Sequence, residues 1–167
     1  MKKNHNIIDN YLSEEHFKKI YEFFNNFDTA WYYQNKMVTD VNDIEDRGFL
    51  SHCVYYRKKV LSSGYGVLEP LLDKIDMSAL IQIRANLTFK SEKIYYSPWH
   101  NDHGLNNQST AILYLNTNNG GTEFKEDKNF IESVANRFLI FDGKTLHRSV
   151  SQTDQNIRLV LNLNFYD

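Results

Sequence analysis

From Leu80 onward the side chains alternate in character with a period of two, and they do so in three separate segments. Segment 80–89 sets Ile81, Ile83, Ala85, Leu87 and Phe89 against Gln82, Arg84, Asn86 and Thr88. Segment 109–116 divides Ala111, Leu113 and Leu115 from Thr110, Ile112, Tyr114 and Asn116. Segment 157–165 divides Ile157, Leu159, Leu161, Leu163 and Phe165 from Arg158, Val160, Asn162 and Asn164. Successive side chains of a strand point to opposite faces, so each segment reads as a strand with one aliphatic and one mixed polar face. The aliphatic faces need cover, and the polar faces meet either bulk water or an enclosed polar cavity. Periodicity alone does not choose between the two.

The cover comes from upstream. Ser13 reads as an N-cap with Glu14 and Glu15 in the first turn, and Phe17, Ile20, Tyr21 and Phe24 follow at helical spacing. A second helical stripe runs through Val67, Leu68, Leu71, Leu72 and Ile75, where Pro70 is tolerated only in a first turn. Segments 30–33 and Phe49–Tyr56 read as strands on either side of a polar loop, 35–47, too polar to pack into a core. Shorter strands are expected at 122–125, 137–141 and 146–150, punctuated by Asn118-Asn119-Gly120-Gly121 and Asp142-Gly143. These pieces suffice for a mainly β fold with flanking helices, a jelly roll or cupin-like barrel (double-stranded β-helix) supported by N-terminal helices. With 167 residues the expectation is one domain, 1–79 giving helical support and 80–167 the core.

Composition narrows the partners. A net charge of -2 gives no basic field to draw the chain to nucleic acid or an anionic membrane, so neither is expected. The two lysines at the start are not followed by the apolar run of a signal peptide. A single cysteine, Cys53, forms no internal disulfide and no Cys-rich zinc site, and fits a reducing cytoplasm; its plain reading is a small buried hydrophobe.

His100 and Asp102 are alternate residues, so in extended chain they point to the same side and can share one ion. A facial site for non-haem iron takes two imidazoles and one carboxylate and leaves coordination positions open. His147 is the candidate for the second imidazole. Each histidine taken singly is an ordinary surface or core residue, and a later His after His-x-Asp is common by chance. Arg158 sharpens the pattern: it lies eleven positions after His147 on the polar face of the last strand, where a buried guanidinium without an anion is costly. Trp99 is placed to line the site or to pack as a core aromatic, and His103 faces away from Asp102 by alternation.

Across roughly the half of the chain from Leu80 to Phe165, this pattern resembles the Fe(II)/2-oxoglutarate-dependent oxygenases, within them the prolyl-hydroxylase-like branch. The residues that carry the resemblance are His100-Asn101-Asp102, His147, Arg158, Ala111 to Asn116, Gly120-Gly121-Thr122-Glu123-Phe124 and Arg137 to Asp142. The resemblance implies a jelly-roll dioxygenase that hydroxylates a small-molecule or peptide substrate, such as a peptidyl proline, and releases succinate and CO2. It implies Fe(II) on His100, Asp102 and His147, with 2-oxoglutarate and dioxygen as co-substrates and ascorbate as an auxiliary reductant. Arg158 then holds the far carboxylate of 2-oxoglutarate by a forked pair of hydrogen bonds. Tyr114 donates its hydroxyl to that carboxylate, and Thr88, Asn86 or Asn162 complete the co-substrate site. The loop 35–47 closes over it as a lid. Two other readings remain open: a cupin-type metalloenzyme without 2-oxoglutarate, which needs neither Arg158 nor Tyr114, and a non-catalytic jelly-roll binding protein. Tyr95, Tyr96 and Trp99 suggest base stacking as in alkylation-repair oxygenases, but no basic stripe accompanies them.

Overall fold

The alternating segments do form strands, and their polar faces turn inward. The computed structural model describes residues 5–36, 47–102 and 106–167. The lid expected over 35–47 falls almost wholly outside them, and so does His103. Along the described chain run β1 (His5–Ile8), α1 (Glu14–Phe24), β2 (Tyr32–Gln34), β3 (Phe49–Tyr56), β4 (Lys59–Val60), α2 (Gly64–Val67) and α3 (Glu69–Leu72). There follow β5 (Ala79–Phe89), β6 (Gln108–Tyr114), β7 (Asn118–Phe124), β8 (Phe130–Ser133), β9 (Arg137–Asp142), β10 (His147–Val150) and β11 (Ile157–Tyr166). Among these, one larger sheet has the order β1-β9-β6-β11-β5-β3-β2, with β4 on β3, and a smaller one the order β10-β7-β8. The pairings in both are antiparallel. This is the mainly β jelly roll with flanking helices that the alternation predicts.

The core divides at the larger sheet. On its aliphatic face Ile83, Ala85, Leu87, Ala111, Leu113 and the odd-numbered residues of β11 pack against Ile20 and Phe24 of α1 and Leu68, Leu71 and Leu72 around α3. Ser13 caps α1, its Oγ accepting from the His16 amide at 3.3 Å, and Glu15 pairs with Lys19 one turn on at 2.6 Å. On the other face, Ile112, Tyr114, Leu139, Phe141 and Val160 meet Phe124 and Ile131 of the smaller sheet. The polar side chains of the same face therefore look into a space closed by the second sheet, not into bulk water.

Several local expectations need correcting. The second helix, expected through residues 67–75, is two short helices, because Pro70 lies at the start of α3 and Val67 ends α2. Asn118 to Gly121, expected as a turn, lies within β7, where the register against β8 shifts between Asn118 and Gly121. A side chain on Gly121 would run into the Ile131 carbonyl, so glycine here serves close strand packing. A register shift of β11 past β5 sets Phe165 opposite Leu80, and Leu80, not Ile81, joins the core. The strand expected at 30–33 is Tyr32–Gln34, and β1, β4 and β8 lack a period strong enough to predict.

Candidate metal centre and active site

His100 and His147 are brought side by side by backbone pairing. The His100 amide donates to the His147 carbonyl at 3.0 Å and the His147 amide to the His100 carbonyl at 2.9 Å, so 96–100 runs beside β10 at the edge of the smaller sheet. The two rings are 4.5 Å apart, tilted by 49°. Each Nδ1 bonds a carbonyl two residues earlier, Pro98 for His100 and Thr145 for His147, both at 3.0 Å. Those carbonyls accept, so each Nδ1 carries a proton, and in the neutral imidazole each Nε2 then offers its lone pair. Both Nε2 atoms lie 3.9 Å from Asp102 Oδ1, and the three candidate ligand atoms all fall within 4.8 Å of one another. The other oxygen, Oδ2, accepts from Asn162 Nδ2 at 3.0 Å. Asn164 bonds Asn162 at 2.9 Å and accepts from Thr110 at 2.9 Å, which fixes the amide.

The electrostatics suit a cation. Burial pushes the Asp102 carboxyl upward, but His147, His100, the Asn162 amide and Arg84 outweigh it and hold it below the usual carboxylate range. Burial lowers the His147 pKa against the pull of Asp102, which favours the neutral form that a metal ion needs. Two imidazoles with free Nε2 lone pairs and one carboxylate fit a ferrous ion with positions left for exchangeable ligands.

At the far end of the same cavity stands Arg158, 4 % exposed. Nη1 donates to Ser149 Oγ and Nη2 to the Gly121 carbonyl, both at 3.1 Å, while Nε is buried without a partner. Among the described residues no carboxylate pairs with it, and burial, opposed only by Tyr114, lowers its pKa. Asn86 Oδ1, on the same lining, is likewise buried and unbonded. Tyr114 is fully buried behind this wall, its ring 5.7 Å from the guanidinium carbon and its hydroxyl donating to Thr122 Oγ1 at 2.8 Å.

No protein-family model and no curated protein matches this chain. Solved structures do. An oxidoreductase of the 2OG-Fe(II) oxygenase family from Burkholderia pseudomallei superposes with a TM-score of 0.74 at 8% identity, over 97% of this chain and 85% of that one. A prolyl hydroxylase from Trichoplax adhaerens, in complex with a hypoxia inducible factor oxygen degradation domain peptide, gives 0.69 at 15% identity over 99% and 84%. A non-heme alpha ketoglutarate dependent carbocyclase from nogalamycin biosynthesis gives 0.70 at 12% over 99% and 80%. The fold is that of the 2OG-Fe(II) oxygenases.

In this oxygenase fold His100, Asp102, His147 and Arg158 all face one cavity of about 360 Å³, together with Thr88, Asn86 and Asn162. Tyr114 does not line it; Thr122, which its hydroxyl supports, does. Asn162 serves Asp102 directly. Trp99 is also off the lining, packed under the Arg148 guanidinium at 4.1 Å, while Arg148 pairs with Glu123 at 2.6 Å. Sequence reasoning passed over Ser149, although His147 and Ser149 are alternate residues of one strand and must share a face. It also passed over Tyr56 and Gln82, which line the cavity end away from Arg158.

Proposed function

We propose that the chain is an Fe(II)- and 2-oxoglutarate-dependent dioxygenase that hydroxylates a substrate with release of succinate and CO2. The observation that carries this reading is the buried Arg158 guanidinium, with an unpartnered Nε and, among the described residues, no carboxylate beside it, in one cavity with a two-histidine, one-aspartate cluster. A cupin-type site or a binding jelly roll has no use for that cation. His100, Asp102 and His147 hold the iron, and Arg158 takes the distal carboxylate of 2-oxoglutarate. Thr122, Thr88 and Asn86 flank that carboxylate, and Tyr114 supports Thr122 from behind.

Iron and 2-oxoglutarate together supply dioxygen activation, in which one oxygen atom enters succinate and the other the substrate C–H bond. The chain's own residues bind and orient. Pro98 and Thr145 fix the imidazole tautomers, and Asn162 holds Asp102 so that Oδ1 faces the histidines. Walls from both sheets flank the reacting centre. Residues 80–167 supply this machinery and 1–79 support it within one catalytic domain. A reducing cytoplasm is the compartment in which ferrous iron persists, and ascorbate would return oxidised iron to that state.

The test is oxygen-dependent succinate release from 2-oxoglutarate by the iron-loaded protein, with and without ascorbate. Parallel assays use a panel of amino acids and peptides, including peptidyl proline, followed by mass analysis for the gain of one oxygen. Turnover that needs iron and 2-oxoglutarate supports the reading; iron binding without 2-oxoglutarate consumption returns the chain to the cupin-type reading.

A further inference from the structure

The cavity contains a second cation, whose part so far is only to help keep Asp102 ionised. Arg84 lines it from β5, between Gln82 and Asn86. Its Nε is buried and has no hydrogen-bond partner, and among the described residues no carboxylate forms an ion pair with it. Phe49, 3 % exposed, lies under the guanidinium, 6.0 Å from charge centre to ring centroid, and restrains the head group.

Strand register locates this charge. Across β5 and β11, Arg158 faces Thr88 and Arg84 faces Asn162. The two cations are thus separated by four residues of strand, roughly 13 Å at the rise of extended chain. Asn162 is the residue that holds Asp102. Cross-strand neighbours on one face stand about 5 Å apart at Cβ, so Arg84 lies beside the candidate metal ligands, at the end of the cavity away from Arg158.

Charge balance then states what is missing. Among the described residues, the charged side chains of the lining are two arginines and one aspartate. A ferrous ion and a 2-oxoglutarate dianion would cancel each other, Asp102 offsets one arginine, and one positive charge remains in the cavity. The Arg84 Nε is buried without a partner, and a bound monoanion would both satisfy it and balance the charge. We propose that Arg84 anchors a carboxylate of the prime substrate, so that the enzyme acts on a small carboxylic acid, such as a free amino acid, and not on an internal residue of a peptide. The inference rests on the dioxygenase reading above. The cavity, about 360 Å³, sits near the lower end of the roughly 300 to 1,000 Å³ of small-molecule sites, which suits a compact substrate beside 2-oxoglutarate.

The test is binding to the full chain loaded with redox-inert Zn(II), followed by calorimetry. 2-Oxoglutarate is titrated first, and then, at saturation, free L-amino acids and three- to six-carbon carboxylates, each against its primary amide, with a blocked proline peptide alongside. At least one carboxylate should bind about ten- to a hundredfold more tightly than its amide, as charge-assisted hydrogen bonds do. Arg84→Gln should erase that difference without changing 2-oxoglutarate affinity, and Arg84→Lys should restore part of it; circular dichroism checks that each variant is folded. Carboxylates and amides that bind alike, a preference that survives Arg84→Gln, or tightest binding by the blocked peptide would each overturn the proposal. Loss of 2-oxoglutarate in Arg84→Gln but not in Arg158→Gln would also overturn it, by making Arg84 the co-substrate anchor. If the metal-loaded parent takes up no 2-oxoglutarate, the dioxygenase reading falls on its own, and the carboxylate-amide contrast without 2-oxoglutarate still decides whether Arg84 is an anion site.

Discussion

Asp102 is where the local forces of the site meet, with two imidazole Nε2 atoms at 3.9 Å from one oxygen and the Asn162 amide on the other. Replacing His100, Asp102 or His147 by Ala is expected to abolish iron-dependent consumption of 2-oxoglutarate while leaving the domain folded, since these side chains lie at the cavity and outside both apolar clusters. Full succinate release by any one of the three variants would remove that residue from the ligand set. Asn162→Ala leaves the ligands in place but frees the carboxylate, and should weaken metal affinity about 10- to 100-fold in a competition titration with a chelator. Arg158→Ala should weaken 2-oxoglutarate binding by on the order of 3 to 5 kcal/mol, and Tyr114→Phe by less, because the tyrosine acts through Thr122. That His100 and Asp102 would share a side was legible in the sequence, because the two alternate; His147 joined them only through the family resemblance. The Pro98 and Thr145 carbonyls that orient the rings were not legible, since a backbone acceptor leaves no mark in residue type. Arg84 was read only as one polar residue on an inward face; its isolation depends on which carboxylates are near, and that is a tertiary fact.

At the scale of elements, the long strands of the larger sheet were legible because an aliphatic residue recurs at every second position, from Ile81 to Phe89 in β5, Ala111 to Leu113 in β6 and Ile157 to Phe165 in β11, although Ile112 and Val160 interrupt the polar faces. The short elements follow tertiary demands that no local pattern encodes. Asn136 is an example: it sits at the start of β9 with a left-handed φ of 61° and fastens the segment before α1 to the sheet. Its Oδ1 accepts from the Leu12 amide at 3.0 Å and its Nδ2 donates to the Leu12 carbonyl at 2.8 Å, both buried. Asn136→Ala strips partners from two buried backbone groups and keeps a side chain in a conformation that disfavours one. The expected loss of stability is about 3 kcal/mol. Asn136→Gly should be less damaging by roughly 1 kcal/mol, because only the hydrogen bonds are then lost. Urea unfolding of the parent and both variants measures this, and equal stabilities for all three would mean that the Leu12 clamp contributes nothing.

For the whole molecule, the site is a junction between the sheets. His100 and His147 belong to the smaller sheet's side, whereas Asn162 and Arg158 project from β11 of the larger one, and Arg158 also bonds Ser149 of β10 and Gly121 of β7. Ligands that bind across this junction bind the native state only, because the unfolded chain cannot hold the four residues together, and they must raise stability by mass action. At a free concentration one hundred times its dissociation constant, a ligand adds about 2.7 kcal/mol, which for a chain of this size is a rise in Tm of roughly 5 to 10 °C. The parent should show two such steps, one on adding Zn(II) and a second on adding 2-oxoglutarate to the metal-loaded protein. Arg158→Ala should keep the first step and lose the second, and His147→Ala should lose both. A thermal melt with an absorbance or fluorescence readout follows both steps. A full second step in metal-free protein, or in Arg158→Ala at the same 2-oxoglutarate concentration, would show that 2-oxoglutarate binds elsewhere and would separate the buried arginine from the function proposed for it.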